Sequence, residues 1–304
     1  MKKCFLSNSV LFTLIIGGCI KTDNFLINNE AQSINVNGVQ REYILYIPTT
    51  YDSLDATPLM LNFHGWTMSA GDQMNLSDMR TLAESENFIL VYPQGTRFKN
   101  SFYGSTHWNV GSWTTGSTSN DIGFIDILID YLSFNYNIDL ERIYACGYSN
   151  GGFFSHELAC NLSTKISAIG AVSANMSVRT KNNCNPSHPT AIITISGTND
   201  NEVSYDGGNF EGQMSHNEVL KYWINYNQTD TLPTISDLPD ISINDGSMVQ
   251  LYKYKNGNNN VEIEHYKIVN GGHDWPGTLG NMDINANLII WKFVSQFDIN
   301  GAIE

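Results

Sequence analysis

The feature that most restricts the fold of this chain is a five-residue turn, Gly147-Tyr148-Ser149-Asn150-Gly151. It lies between an apolar stretch, Arg142–Cys146, and a helix-like stretch, Gly151–Cys160. Glycines at both ends let the chain reverse sharply where a side chain would collide with the neighbouring strand. A strand must therefore enter the turn and a helix must leave it. The Ser149 hydroxyl is then held exposed above the strand edge, and the N–H that follows faces a reacting oxyanion. Gly-x-Ser-x-Gly alone is moderately specific, but here it occurs once and at a strand-to-helix junction.

The rest of the chain agrees with a wound sheet. Ser33–Val36 and Glu42–Ile47 read as an antiparallel pair turned near Asn37-Gly38, and Pro58–Phe63 as a buried strand ending at His64-Gly65-Trp66. A helix over Gly71–Asn87, a strand over Phe88–Tyr92 and a long irregular loop over 96–119 follow. Asp121 is placed to cap a helix running to Asn137. Beyond the Ser149 turn come strands Ile166–Ser173 and Ala191–Ser196, a helix Met214–Asn225, strands Val249–Tyr254 and Val261–Ile268, and a last helix Met282–Phe297. Strands alternating with helices predict a mostly parallel sheet covered on both faces, as one domain over 32–304.

A serine nucleophile needs a base, and the base needs an orienting acid. After a turn of this kind the acid and then the histidine follow in the chain. Of the seven histidines, His64, His107 and the helix-borne His156 do not fit that order, His188 precedes a strand, His216 sits in a helix, and His265 lies inside a strand. His273 occupies a loop, Gly271-Gly272-His273-Asp274-Trp275-Pro276-Gly277, between the last strand and the last helix. The acid should follow strand Ala191–Ser196, where Asp200 stands, with Glu202 and Asp206 close enough to compete. The oxyanion donors are the N–H of Asn150 and, after Pro58–Phe63, that of Trp66, with Thr67 as its competitor. Trp108 and Trp275, with Trp113, Tyr103 and Phe153, are candidates for an aromatic substrate pocket. No residue spacing suggests a metal, and no cofactor is expected.

The N-terminus has the form of an export signal: Lys2 and Lys3, the apolar run Val10–Ile16, then Gly17-Gly18-Cys19. The run is too short to span a bilayer. Ile15–Cys19 resembles a bacterial lipobox, which predicts a signal over 1–18, lipidation at Cys19 and a tether over 19–31. Export permits disulfides. Cys146 lies in an apolar strand, so Cys160 and Cys184 are the pair to consider; two free thiols are the alternative. With 16 basic against 30 acidic side chains the net charge is −14, which disfavours nucleic acid and anionic lipid surfaces. A neutral ester, free or borne on a polysaccharide, suits such a surface better, and nothing calls for an oligomer.

From about Gln32 to Phe297 the chain resembles the polyhydroxybutyrate depolymerase-like esterases, which include the feruloyl and acetylxylan esterases of carbohydrate esterase family one. The resemblance rests on Arg41–Pro48, His64-Gly65, Asp121–Ile125, Gly147–Gly152, Gly197–Asp200 with Tyr205–Gly208, and Gly271–Gly277. It implies an α/β-hydrolase fold, a triad at Ser149, Asp200 and His273, and a bridge like Cys160–Cys184. It also implies hydrolysis of carboxylic esters, with plant-polysaccharide esters or hydroxyalkanoate polyesters as substrates. Two departures stand out: Ser196 where the family usually has histidine, and Asn120-Asp121 where it has two acids. A surface protein that kept the fold and lost catalysis is the competing class.

Overall fold

The computed structural model describes residues 31–98 and 105–303. The expected export signal over 1–18, Cys19 and Tyr103 lie outside the described residues. β1 (Ala31–Val36) and β2 (Val39–Tyr46) form a hairpin whose turn residues Asn37 and Gly38 have φ of 51° and 87°. Two positive φ values are what a two-residue turn between right-twisted strands requires. Ala31, assigned above to the tether, already pairs with Ile44.

β3 (Thr57–Phe63), α1 (Ala70–Leu76), α2 (Arg80–Glu86) and β4 (Ile89–Pro93) come next, and both strands are buried throughout. A short ribbon, β5 (Thr96–Arg97) with β6 (Thr106–His107), and a 3-10 turn at Ser112–Thr114 lead to α3 (Asp121–Asn135). Then follow β7 (Ile138–Tyr148), α4 (Asn150–Asn161), β8 (Ala168–Val172), α5 (Val178–Asn182), β9 (Ala191–Gly197) and α6 (His216–Asn227). The chain ends with β10 (Thr234–Asp237), β11 (Met248–Tyr254), β12 (Ile263–Val269), α7 (Ala286–Val294) and a ribbon of β13 (Phe297–Asp298) and β14 (Gly301–Ala302).

Ten strands form one sheet in the order β1-β2-β4-β3-β7-β8-β9-β12-β11-β10. The six central strands, β4 to β12 in that order, run parallel, and two antiparallel strands flank them on each side. Alternate residues feed opposite layers. Leu59, Leu61 and Phe63 pack with α3, α4 and α6 on one face, while Met60 packs with α1, α2 and α7 on the other. The mostly parallel sheet covered on both faces is the expected one.

Several local expectations change. The helix expected over Gly71–Asn87 is two helices, because residues 77–79 bond elsewhere. The Ser77 hydroxyl donates to the Gln73 carbonyl and accepts from Asn62, and the Tyr92 hydroxyl takes the Met79 N–H while donating to the Ser77 carbonyl. The cap of α3 is Asn120, whose side chain accepts from the Gly123 N–H; Asp121 instead pairs with Arg41. Within 96–119 the β5–β6 ribbon and the 3-10 turn supply short regular structure. All the parallel strands end at one sheet edge, and the loops bearing His64–Met68, Ser149, Asp200 and His273 leave from it.

Candidate active site

Ser149 joins β7 to α4 with φ 51° and ψ −119°. A non-glycine residue there costs on the order of 1–3 kcal/mol, so the surroundings must impose it. They do so from both sides: the Ser149 N–H donates to the Val172 carbonyl at 2.9 Å and its carbonyl accepts from Phe153 N–H at 3.0 Å. The two glycines are a steric necessity. A Cβ on Gly147 would lie 2.4 Å from the Gly151 carbonyl carbon, and one on Gly151 would lie 2.2 Å from the Phe63 oxygen. Although Ser149 occupies the N-cap position of α4, its side chain makes no capping hydrogen bond. The hydroxyl is left uncommitted to the helix.

β9 and β12 are parallel neighbours, with Gly197 opposite Ile268, so the loops that follow them meet. There the Asp200 Oδ2 accepts from His273 Nδ1 at 2.7 Å, while its Oδ1 accepts the N–H groups of Glu202 at 2.9 Å and Val203 at 2.7 Å. The carboxylate side chain is 1% exposed and the imidazole 15%. Glu202 and Asp206, the competing acids, are exposed and make no contact with the imidazole among the described residues. Asp200 is thus the acid the fold brings to His273. The other side of the histidine loop is held by β7 and β8. The Tyr148 hydroxyl donates to the His273 carbonyl at 2.7 Å, and the Ser173 hydroxyl bonds the backbone of Asp274. Neither Tyr148, inside the motif itself, nor Ser173 stood out in the sequence. Their work is hydrogen bonding to backbone across the sheet edge, which has no local signature.

The loop after β3 approaches Ser149 closely: a Cβ on Gly65 would lie 3.5 Å from the Ser149 Cβ. His64 is buried, and its Nε2 accepts the Gly95 N–H at 2.9 Å. The ring proton is therefore on Nδ1, which donates to the Gly65 carbonyl at 2.7 Å. Burial holds His64 neutral by pushing its pKa down to about 4. A trans peptide sets its C=O and N–H in opposite directions, so anchoring the Gly65 oxygen to His64 turns the Trp66 N–H away from His64. That N–H has no hydrogen-bond partner among the described residues, whereas the competing Thr67 N–H is spent on the Thr106 carbonyl at 3.0 Å. Asn150 N–H opens the first turn of α4, where helix donors lack internal partners. The Asn150 side chain has a second task. It clamps the loop before α3, accepting from Trp108 N–H at 2.7 Å and donating to the Trp108 carbonyl at 3.1 Å.

Two pocket candidates are corrected. Trp108 is fully buried, stacked on Phe154 with its indole N–H on the His64 carbonyl, and Trp275 is fully buried with its N–H on Asn287. Both rings satisfy their polar atom inside the protein and are core. The partly exposed rings flanking the site belong instead to Trp66 and Tyr148. Cys160 and Cys184 form a disulfide, and Cys146 is a buried free thiol. Ser196 is buried, and its hydroxyl has no hydrogen-bond partner among the described residues.

No protein-family model matches the chain. Among curated proteins, a bifunctional acetylxylan esterase/xylanase of Neocallimastix patriciarum is 27% identical over 269 residues, covering 88% of this chain and 35% of that protein. Feruloyl esterase B of Piromyces equi is 26% identical over 269 residues, covering 85% and 46% respectively. A probable feruloyl esterase C of Aspergillus clavatus is 30% identical over 178 residues, covering 58% and 59%. The chain thus spans from about a third to three fifths of the length of these curated relatives. Among solved structures, an acetyl xylan esterase from Aspergillus awamori superposes with a TM-score of 0.61 at 13% identity, covering 88% of this chain and 99% of that one. A feruloyl esterase module from Clostridium thermocellum gives a TM-score of 0.57 at 10% identity, covering 87% and 88%. Identities that low speak for the fold, while the curated relatives speak for descent: the chain has the α/β-hydrolase fold and is a homologue of the feruloyl and acetylxylan esterases.

Proposed function

We propose that this protein hydrolyses carboxylic esters carried by plant polysaccharides, feruloyl or acetyl, with Ser149 as nucleophile, His273 as base and Asp200 as its orienting acid. The observation that carries the reading is the 2.7 Å hydrogen bond from His273 Nδ1 to the buried Asp200, on the same sheet edge as the strained Ser149 turn. With Nδ1 protonated, the bare Nε2 takes the Ser149 proton as Oγ bonds the ester carbonyl carbon. The oxyanion that forms is met by the N–H groups of Asn150 and Trp66. On collapse the C–O bond breaks, the alcohol leaves with the proton from His273, and an acyl-serine remains. Water, deprotonated by the same imidazole, then releases the acid and restores the serine. No metal or cofactor enters this chemistry.

Export, with Cys19 as the lipidated first residue of the mature chain, belongs to the same reading, because it brings a tethered esterase to polymer fragments outside the cytoplasm. Mass spectrometry of the mature N-terminus tests it: an unmodified terminal peptide means simple secretion. For the activity, the purified protein is incubated with a hydroxycinnamate ester, acetylated xylan and hydroxybutyrate oligomers, and released acid is measured. Release from either of the first two, abolished in Ser149→Ala, is the expected result. Release only from hydroxybutyrate oligomers would make it a polyester hydrolase, and release from none would leave a binding protein on a hydrolase fold.

A further inference from the structure

Behind the Asp200–His273 pair lies a buried polar cluster for which ester hydrolysis has no direct use. Thr194 on β9, His265 on β12, His216 at the start of α6 and Asn175 after β8 are all buried, and Tyr205 reaches in from the loop that carries Asp200. Their contacts form a single line. Asn175 Oδ1 is 2.8 Å from His216 Nδ1, and His216 Nε2 is 3.1 Å from the Thr194 hydroxyl. That hydroxyl is 3.0 Å from His265 Nδ1, and His265 Nε2 is 2.8 Å from the Tyr205 hydroxyl.

The direction of every proton in this line follows from its two ends. Burial lowers the pKa of both imidazoles, His265 to about 3 and His216 well below its ordinary value, so each is neutral with one N–H and one bare nitrogen. Asn175 Nδ2 donates to the Ser204 carbonyl at 3.0 Å, which leaves its oxygen toward His216 Nδ1, and that oxygen can only accept. His216 Nε2 is then bare and takes the one proton of the Thr194 hydroxyl. With its proton spent, Thr194 accepts from His265 Nδ1–H. His265 Nε2 is bare in turn and accepts from the Tyr205 hydroxyl. The line starts on the side chain of Tyr205 and finishes on the carbonyl of Ser204, its neighbour. It is a closed clamp on two consecutive residues, reinforced by Gln213 Nε2 on the Ser204 carbonyl at 2.9 Å and by His216 N–H on the Tyr205 carbonyl at 2.9 Å.

Asp200 is held by the N–H groups of Glu202 and Val203, the residues just before the clamp. Its carboxylate orientation therefore follows the backbone that the clamp fixes. We infer that this one-way hydrogen-bond chain, turning on the Thr194 hydroxyl, is the positioning device that sets where Asp200 meets His273. Tyr205, His265, Thr194, His216 and Asn175 are positioning residues that act through Asp200. The inference rests on Asp200 and His273 being the catalytic pair.

Thr194 is the place to test it, since it is fully buried in the sheet. In the full-length protein, Thr194→Val keeps the shape and removes the hydroxyl, leaving the His216 nitrogen without a partner and the His265 N–H without that hydroxyl. On a soluble aryl ester, kcat should fall about tenfold or more with KM within about twofold, as a small misplacement of a catalytic group does. The downfield proton resonance of His273 Nδ1–H should shift or broaden. Thr194→Ser, which restores the hydroxyl, should return both readouts to within about twofold of wild type. Wild-type kcat and an unmoved resonance in Thr194→Val would overturn the inference, and so would a loss that Thr194→Ser does not repair. If Thr194→Val does not fold, Tyr205→Phe breaks the chain at its half-buried end and carries the same two readouts. Should the wild type hydrolyse no ester, the esterase reading fails instead, and the His273 resonance still decides whether the clamp sets the pair.

Discussion

Replacing Asp200 by asparagine should cost far more than the loss of one charge, because the fold dictates which way the amide faces. Oδ1 of Asp200 receives two backbone N–H groups, from Glu202 at 2.9 Å and Val203 at 2.7 Å. An amide nitrogen cannot accept either, so the asparagine oxygen must take that position. Its NH2 group then faces His273 Nδ1, where the carboxylate oxygen now lies at 2.7 Å. Two donors cannot share that contact, and the imidazole answers by carrying its proton on Nε2. That nitrogen can no longer receive the Ser149 proton. A wrong tautomer of this kind lowers kcat by about 10⁴, or about 5 kcal/mol on the barrier, with the geometry intact. The assay is the initial rate on a soluble aryl ester at pH 7–8, with Glu202→Gln and Asp206→Asn as controls. Both controls alter exposed carboxylates and should stay within about threefold of wild type. Asp200→Asn keeping more than about a tenth of wild-type kcat, or Asp206→Asn falling further than it, would refute the reasoning.

The Cys160–Cys184 bridge joins residues 24 apart in sequence, for which loop closure is worth about 3 kcal/mol. Calorimetry on the double alanine variant should show Tm lower by about 5–10 °C, and a shift below about 1 °C would contradict it. Burial pushes His64 down to about 4 and His156 and His265 to about 3, while the same groups titrate near 6.5 when unfolded. Between those values the unfolded chain holds more protons, so stability is full above about pH 6.5 and is lost as pH falls, by up to about 1.4 kcal/mol per unit for each histidine. Urea midpoints measured from pH 7 to 4.5 should fall steeply, and a flat profile would deny the burial. Asp121 accepts from Arg41 at 2.8 Å, the Ser119 hydroxyl at 2.6 Å and Asn109 N–H at 2.9 Å. Asp121→Ala strands the buried guanidinium and should cost about 3–5 kcal/mol, while Arg41→Met with Asp121→Leu should recover most of it, both read from denaturation midpoints.

The parallel core was legible because a strand buried on both faces needs a continuous apolar run, and Thr57–Phe63, Ile89–Pro93 and Ala191–Gly197 provide one. What escaped was set by distant partners. The break between α1 and α2 depends on the Tyr92 hydroxyl, 13 residues beyond Met79, and nothing in the local pattern announces it. β10, Thr234–Asp237, is an exposed edge strand with no alternation of apolar and polar residues to find. The short elements β5, β6, α5, β13 and β14 run for two to five residues, too few for a hydrophobic period to show.

At the site, positions tied to local backbone chemistry were legible and positions tied to tertiary direction were not. Glycines flanking Ser149 and His273 announce turns, and both residues lie in turns at the ends of sheet strands. The sequence put Asp200 first but left Glu202 and Asp206 as competitors, because the choice is made by the adjacency of β9 and β12 and by two backbone N–H groups. Trp275 misled for a related reason. Standing two residues from His273 says nothing about which way a ring turns, and this one turns into the layer beneath the sheet. Their places in a helix and inside a strand set His216 and His265 aside as bases and left them without any task. Their task becomes visible only when β8, β9, β12 and α6 converge, since a neutral buried imidazole must pass a hydrogen bond on from one side to the other. A histidine that looks idle in a sequence of this fold is therefore best traced to the loop its hydrogen-bond chain ends on, and here that loop is the one carrying Asp200.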